Sequence, residues 1–174
     1  MAPHDFFHHC PRCGARQPAP PAGGVFDCAA CGFRLFFNAA CAAVVFVHDG
    51  AGRWLFIRRA KDPARGRLAP PGGFIDIGER AEDALHREIR EEVGLELADV
   101  RFLTSEVNRY LYRDVTYPVL DLCFTARAVQ PERAAALDDV EAIAWLPAGE
   151  VAEDELAFPS MRAAWRRLRA AGVA

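Results

Sequence analysis

Glu88, Glu91 and Glu92 are the residues of this chain best placed to do chemistry. Their i, i+3, i+4 spacing puts them within an arc of about 100° on an α-helix, so they project together. Three like charges packed side by side repel one another and give a helix nothing. A hard divalent cation compensates such a cluster, because Mg2+ takes oxygen ligands and pairs with phosphate. Arg87 stands four residues before Glu91, the spacing of a salt bridge that orients the glutamate. The segment is framed by Pro71-Gly72-Gly73 before it and by Gly94 after it, a turn and a helix C-cap. The competing reading, a solvated acidic helix face, leaves that double frame unexplained.

A second group of candidate ligands lies near the N-terminus. Four of the six cysteines form two knuckles, Cys10-Pro-Arg-Cys13 and Cys28-Ala-Ala-Cys31, with 14 residues between them. Two thiolate pairs at this spacing can surround one tetrahedral Zn2+, and with all four positions filled by protein the site is structural. Gly14 and Gly32 follow the pairs, where a positive φ can turn backbone N–H groups toward sulfur. His8 and His9 are substitute ligands or plain surface residues. Cys41 and Cys123 sit in apolar runs and are expected to be buried.

Bulk composition narrows the function classes. The chain has 174 residues and 52% hydrophobic residues, enough for a packed core. A formal net charge of −3 supplies no global attraction to nucleic acid or an anionic membrane. No apolar run approaches the ~18 residues of a membrane span. The start Met-Ala-Pro-His-Asp-Phe-Phe-His-His lacks a basic segment followed by an apolar one, so no secretory signal is expected. A disulfide framework is then not expected either, and a cytoplasmic location is.

The elements that must position these residues follow from texture. Residues 1–37 form a small unit with few apolar side chains (Phe26, Phe33, Leu35, Phe36, Phe37) and need a staple. The joint at 15–24 is too rich in Pro and Gly for helix or strand. Strands are expected at 41–47 and 54–58, joined as a hairpin through Asp49-Gly50-Ala51-Gly52. A helix is expected over 80–93, with Ala81, Leu85, Ile89 and Val93 as its apolar stripe and Glu79 at its positive end. Ala81 and Ala84, near the glutamates in angle, let the carboxylates approach the glycine-rich turn. Further strands are expected at 100–104, 110–113, 119–128 and 142–146, and a last helix at 160–171 behind a Pro-Ser cap. The order describes an α/β fold, a mixed sheet with helices packed against it.

The run from Gly73 through Glu79, Arg87, Glu88, Glu91 and Glu92 to Gly94-Leu95 matches G-x5-E-x7-R-E-aliphatic-x-E-E-x-G-aliphatic at every defined position. It resembles the Nudix box, the signature of hydrolases acting on nucleoside diphosphates linked to another group. The resemblance covers roughly residues 38–170 and implies a Nudix α/β/α sandwich, here placed at 38–174 behind a zinc ribbon at 1–37. It implies that Glu88 and Glu92, with Glu91, bind catalytic Mg2+ or Mn2+. The Gly72 carbonyl would complete that site, with Gly72 and Gly73 as its cofactor-binding turn and Glu79 supporting the shell. The general base implied is either Glu88 or a loop acid ahead of Trp145, with Asp138, Asp139 and Glu141 as candidates. Relatives often carry a second acid where this chain has Ala142.

A zinc ribbon before a Nudix domain resembles the branch of NADH and ADP-ribose pyrophosphatases. NADH-cleaving members carry Ser-Gln-Pro-Trp-Pro-Phe-Pro after the box, whereas this chain reads Thr104-Ser-Glu-Val-Asn-Arg-Tyr-Leu-Tyr112. The substrate class implied is therefore a dinucleotide or nucleoside diphosphate sugar, of NAD(H) or ADP-ribose type. Tyr110, Tyr112 and Tyr117 are candidates for base stacking or for core packing. Arg58, Arg59, Lys61, Arg65 and Arg67 are candidates for phosphate contact, against a solvated loop. The alternatives are a non-catalytic ligand-sensing or nucleic-acid-binding module and removal of an NAD cap from RNA. Only Arg12, Arg16 and Arg34 give the ribbon positive charge, a thin footprint for nucleic acid. Several relatives are homodimers, so a homodimer acting on a small nucleotide, without a membrane partner, is the expectation.

Overall fold

The structure, a computed structural model, describes residues 1–17, 21 and 24–172. Residues 18–20, 22 and 23 of the expected irregular joint lie outside the described residues. Two compact units emerge, Met1–Ala40 with Arg109–Pro118, and Cys41–Asn108 with Val119–Ala174.

In the smaller unit, β1 (Val25–Asp27) and β2 (Arg34–Phe36) form a two-stranded antiparallel sheet. A small core of Cys10, Phe26 and Cys28 is ringed by Phe7, Phe33, Leu35 and Phe37. Phe7 meets Phe37 edge-on, with ring centroids 4.7 Å apart. Phe36, expected among these contacts, is exposed. The period-two alternation of β2 turns Leu35 inward and sends Phe36 out. The hairpin tip at 113–115 closes onto the chain start, where Thr116 N–H donates to the Met1 carbonyl at 2.8 Å.

The remaining strands are β3 (Ala40–His48), β4 (Arg53–Arg59), β5 (Leu68–Ala69), β6 (Gly72–Phe74), β7 (Leu97–Tyr112), β8 (Val115–Ala128) and β9 (Val140–Pro147). Among the described residues they form one seven-stranded sheet with the order β5-β4-β3-β8-β7; β6 also pairs with β3, and β9 with β4. Two helices pack on it, α1 (Ala81–Val93) and α2 (Pro159–Ala170). This is the α/β architecture expected. All six residues from Ala42 to Val47 are buried, so layers cover both faces of the central strand. On one face Trp165 of α2 packs against Phe46, Trp54 and Phe56, with centroids 5.4–5.7 Å apart. Helix α1 packs against β6 and β9 through Ala84, Leu85, Ile89 and Val93. Gly94 ends α1 in the left-handed conformation, its N–H donating to the Arg90 carbonyl, as a C-cap glycine does.

Several local expectations change. The strands expected at 100–104 and 110–113 are one continuous strand, β7. The polar stretch between them reads as a break. In the strand it alternates instead, with Thr104 and Asn108 buried and Ser105 and Val107 exposed. Cys41 is exposed because β3 enters its covered stretch only at Ala42, whereas Cys123 is buried as expected. The cap of α2 is Phe158, with Pro159 in the first turn and Ser160 buried behind it. Proline suits that first position, where its missing N–H leaves nothing unsatisfied.

Trp165 is wholly buried, and its indole N–H has no hydrogen-bond partner among the described residues. Trp165→Ala should destabilise the protein by about 3–5 kcal/mol in chemical denaturation. Trp165→Phe, which also removes the unpaired N–H, should cost no more than about 1.5 kcal/mol.

Candidate active site

The box glutamates are organised by Arg87. Its guanidinium donates to Glu79 twice at 2.9 Å, to Glu88 at 2.7 Å, to Glu91 at 3.2 Å and to the Phe74 carbonyl at 3.1 Å. One planar cation thus gathers three carboxylates and ties helix α1 to the strand before it. The orienting salt bridge expected for Glu91 is present and extends to two more acids. Glu79 precedes the N-cap Arg80 and accepts the Asp76 N–H at 3.0 Å. The Arg87 hydrogen bonds, then that N–H, hold the Glu79 carboxyl down at about 2. The hydrogen bonds to Glu79 and then Glu88 push Arg87 itself further above its ordinary value, against burial, which lowers it.

Glu92 points elsewhere. Its Oε2 accepts the Gly72 N–H at 2.9 Å, on the inner side of the helix. Burial is the largest influence on its carboxyl; the Gly72 bond lowers it, the Glu88 charge raises it, Arg59 lowers it and Asp139 raises it. The outcome is a carboxyl raised from 4.5 to about 8. Glu88 is raised as well, by burial first, against the pull of Arg87. Each of the two glycines has its own steric reason. A Cβ on Gly72, whose φ is +136°, would lie 2.2 Å from the Ala43 carbonyl oxygen, so this glycine lets β6 lie against β3. The carboxylate approach belongs to Gly73, where a Cβ would stand 2.4 Å from Glu88 Oε1.

The loop before β9 closes over the end of α1. Backbone N–H groups of Ala135, Leu137 and Asp138 donate to the carbonyls of Val93, Glu92 and Glu91 at 3.0–3.2 Å. These carbonyls have no partner within their own helix, so the loop serves as its cap. Asp139 follows, with φ +58°; its carboxylate pairs with Lys61 and its carbonyl accepts the Ala60 N–H. Asp138 and Glu141 are exposed. Of the loop acids, Asp139 is the one whose charge acts on Glu92.

In the smaller unit, the Sγ atoms of Cys10, Cys13, Cys28 and Cys31 all lie within 4.8 Å of one another. The Cys10–Cys31 and Cys13–Cys28 separations are each 3.7 Å. Four sulfurs at about 2.3 Å from one zinc stand about 3.8 Å apart, so the cage fits that ion. Gly14 and Gly32 have the expected positive φ, but their N–H groups donate to the Cys10 and Cys28 carbonyls. Burial raises the Cys28 thiol, yet the Cys31 and Ala30 N–H groups and the neighbouring thiols bring it down to about 6. His8 and His9 are exposed and outside the cage. In the same unit Tyr112 and Tyr117 are exposed, not core.

The NUDIX domain profile matches residues 38–167, and the chain belongs to that family. It is 31% identical over 152 residues to the mitochondrial NAD(P)H pyrophosphatase NUDT13 of Mus musculus, covering 85% of this chain and 41% of the relative. It is 45% identical over 65 residues to the NAD-capped RNA hydrolase NudC of Mycobacterium tuberculosis, covering 37% of this chain and 20% of that one. The chain therefore spans less than half the length of these curated relatives. Among solved structures, a NUDIX hydrolase from Nitrosomonas europaea superposes with a TM-score of 0.69 at 18% identity, covering 92% of this chain and 89% of that one. That likeness is one of fold.

Three features of the site have no signature in the sequence: the loop cap on α1, the Lys61–Asp139 pair, and the contact of Gly73 with Glu88. Each joins residues far apart in the chain, and local spacing carries no information about them.

A raised carboxyl makes stability depend on pH. Glu92, ordinarily near 4.5 and about 8 when folded, favours folding while protonated; that contribution is complete below 4.5 and is lost as pH rises through 8. With divalent cations chelated, Glu92→Gln should raise the melting temperature at pH 8.5 and leave it unchanged at pH 4.5. Thermal melts at the two pH values read this directly; an equal shift at both would contradict it.

Proposed function

We propose that this chain hydrolyses the diphosphate bridge of a dinucleotide or nucleoside diphosphate derivative, of NAD(H) or ADP-ribose type, and releases a mononucleotide. One observation carries the reading: two half-buried carboxyls, Glu88 and Glu92, sit against the Gly72–Gly73 turn, Glu92 accepting the Gly72 N–H and Glu88 filling the space beside Gly73, with their ionised forms disfavoured. Carboxyls kept in that state are restored to their charged form by a cation. The donor set is all oxygen, which suits Mg2+ or Mn2+. Glu88 and Glu92, with Glu91 and the Gly72 carbonyl, would hold the ion, and Gly73 leaves room for it beside Glu88. When bound, such an ion neutralises phosphate charge and lowers the pKa of an attacking water. Arg87 and Glu79 then act as the frame that fixes the acids. The proton acceptor is Glu88 or a loop acid such as Asp139 or Glu141. Names of the relatives, one an NAD(P)H pyrophosphatase and one an NAD-capped RNA hydrolase, support this substrate class. The second name also keeps cap removal as a second reading.

In this reading residues 1–37 are a zinc ribbon, with Zn2+ held by Cys10, Cys13, Cys28 and Cys31, and 38–174 are the hydrolase domain. All four zinc positions are protein thiolates, so the role is structural. Reduced thiolates in the cage fit a cytoplasmic location, although the mouse relative is mitochondrial. Among the described residues no helix is long and apolar enough to cross a membrane. A homodimer is supported by β7, a 16-residue strand at one end of the sheet order with Phe102, Val107 and Leu111 exposed.

Purified protein with Mg2+ or Mn2+ should release AMP from NADH or ADP-ribose, read by mass. Glu92→Gln and Glu88→Gln should each lower turnover by at least about 100-fold without loss of folding. No cleavage of any diphosphate in a broad panel, with RNA retained at ~150 mM salt, would move the protein to the binding class. Removing zinc with a chelator should unfold the ribbon, since site formation and folding are coupled there, and one equivalent of zinc per chain should restore it. Unchanged proteolytic resistance of residues 1–37 after zinc removal would count against a structural role.

A further inference from the structure

Arg58 and Arg59 end strand β4 as neighbours, yet the structure treats them differently. Arg58 is exposed, and its guanidinium donates to the Gly66 carbonyl at 2.6 Å. Arg59 is half-buried, and three contacts set its position. Its Nε donates to the Pro63 carbonyl at 2.9 Å. Its guanidinium lies over the Phe158 ring, 5.3 Å from the centroid. Its backbone is pinned on both sides, Arg59 N–H to the Arg67 carbonyl and Gly66 N–H to the Arg59 carbonyl. Phe158 is itself anchored. The Ala157 N–H donates to the Leu68 carbonyl at 2.8 Å, and Arg162 grips the Leu156 carbonyl with two N–H groups.

The partners of Arg59 differ from those of the other arginines. Arg34, Arg53, Arg87 and Arg90 each engage a carboxylate. Arg59 engages none among the described residues, and its two Nη groups meet no acceptor there. The next residue, Ala60, donates its N–H to the Asp139 carbonyl, on the loop whose Leu137 N–H caps the Glu92 carbonyl. The arginine stands near enough to Glu92 for its charge to lower that carboxyl. A guanidinium held by one nitrogen and an aromatic face, with both amino groups spare, is pre-set for a bidentate oxyanion. A cation–π contact and a carbonyl hold such a group without neutralising it.

We propose that Arg59 is the side chain that receives a phosphate of the substrate's diphosphate, and that Phe158 is the positioning residue that holds its fork in place. The proposal rests on the function proposed above for the choice of ligand. It assigns to strand β4 and the cap of α2 a binding task alongside that of the glutamates of α1. Arg58, turned to Gly66, takes no part.

The test is binding of the non-hydrolysable analogue α,β-methylene-ADP in Mg2+, measured by calorimetry, beside steady-state hydrolysis. Arg59→Met should weaken the analogue by about tenfold to 100-fold, the worth of a charge-assisted hydrogen-bonded pair. In hydrolysis the loss should fall mainly on KM. Arg59→Lys, which keeps charge without the fork, should recover part of the affinity and serves if the methionine variant folds poorly. Phe158→Leu should weaken binding by a smaller factor, Phe158→Tyr should restore it, and Phe158→Leu should add nothing in the Arg59→Met background. Arg58→Met should bind as the wild type does. A folded Arg59→Met or Arg59→Lys protein that binds the analogue as tightly as wild type overturns the proposal. So does a Phe158→Leu loss that persists without Arg59, or a wild-type protein that does not bind the analogue. Arg59-dependent binding without hydrolysis of any diphosphate would instead remove the enzymatic reading and leave this one standing.

Discussion

The Arg87 guanidinium is the constraint on which the rest of the site depends. Glu88 and Glu91 of α1 would repel each other and Glu79 just before the helix, and a single cation inside the cluster turns that repulsion into a lattice of hydrogen bonds. The same guanidinium holds the Phe74 carbonyl, so it also fixes how the helix meets the turn before it. The acids of the box are thus compensated in two ways. Arg87 neutralises the other three, while Glu92, turned to the Gly72 N–H, has no opposite charge in direct contact among the described residues. A site of this kind gives up stability for readiness, because a buried carboxyl without a cation is costly until one arrives.

The two candidate metal centres represent opposite strategies. The four sulfurs already stand at the separations that a tetrahedral ion demands, within a unit whose own core is a handful of phenylalanines. There a bound ion would substitute for a core too small to hold the fold. The glutamates, by contrast, are not drawn into an equally closed group; among the described residues only the cysteines satisfy that geometry. In the function proposed, an oxygen site that admits a substrate would be held open by its frame, with the large sheet and its two helices as support.

Steric room decides how close these parts come. Gly72 is required because β6 runs against the backbone of β3, and Gly73 because the Glu88 carboxylate occupies the space a side chain would take. The glycine pair therefore serves the sheet and the acid cluster in turn, one residue for each. Burial on both faces of β3 makes this turn a rigid floor. The loop of residues 135–139 makes the matching wall, spending its own N–H groups on the unpaired carbonyls of α1.

The sequence by itself determined what local spacing can carry. Period and capping placed α1, β3, β4, β8, β9 and α2 to within a few residues, and the knuckle spacing singled out the cysteine cage. The i, i+3, i+4 glutamates and Arg87 were legible because a helix converts spacing into a shared face. Where polar residues alternate, as in β7, the local pattern reads as a break, and at Cys41 and Phe36 apolar identity does not bring burial. Only the tertiary structure decided which carboxylate is buried, which acid Lys61 holds, which glycine faces Glu88 and which of two adjacent arginines lies on Phe158. Those are contacts between residues 15 to 99 positions apart, and they exist because layers pack, which no window along the chain can record.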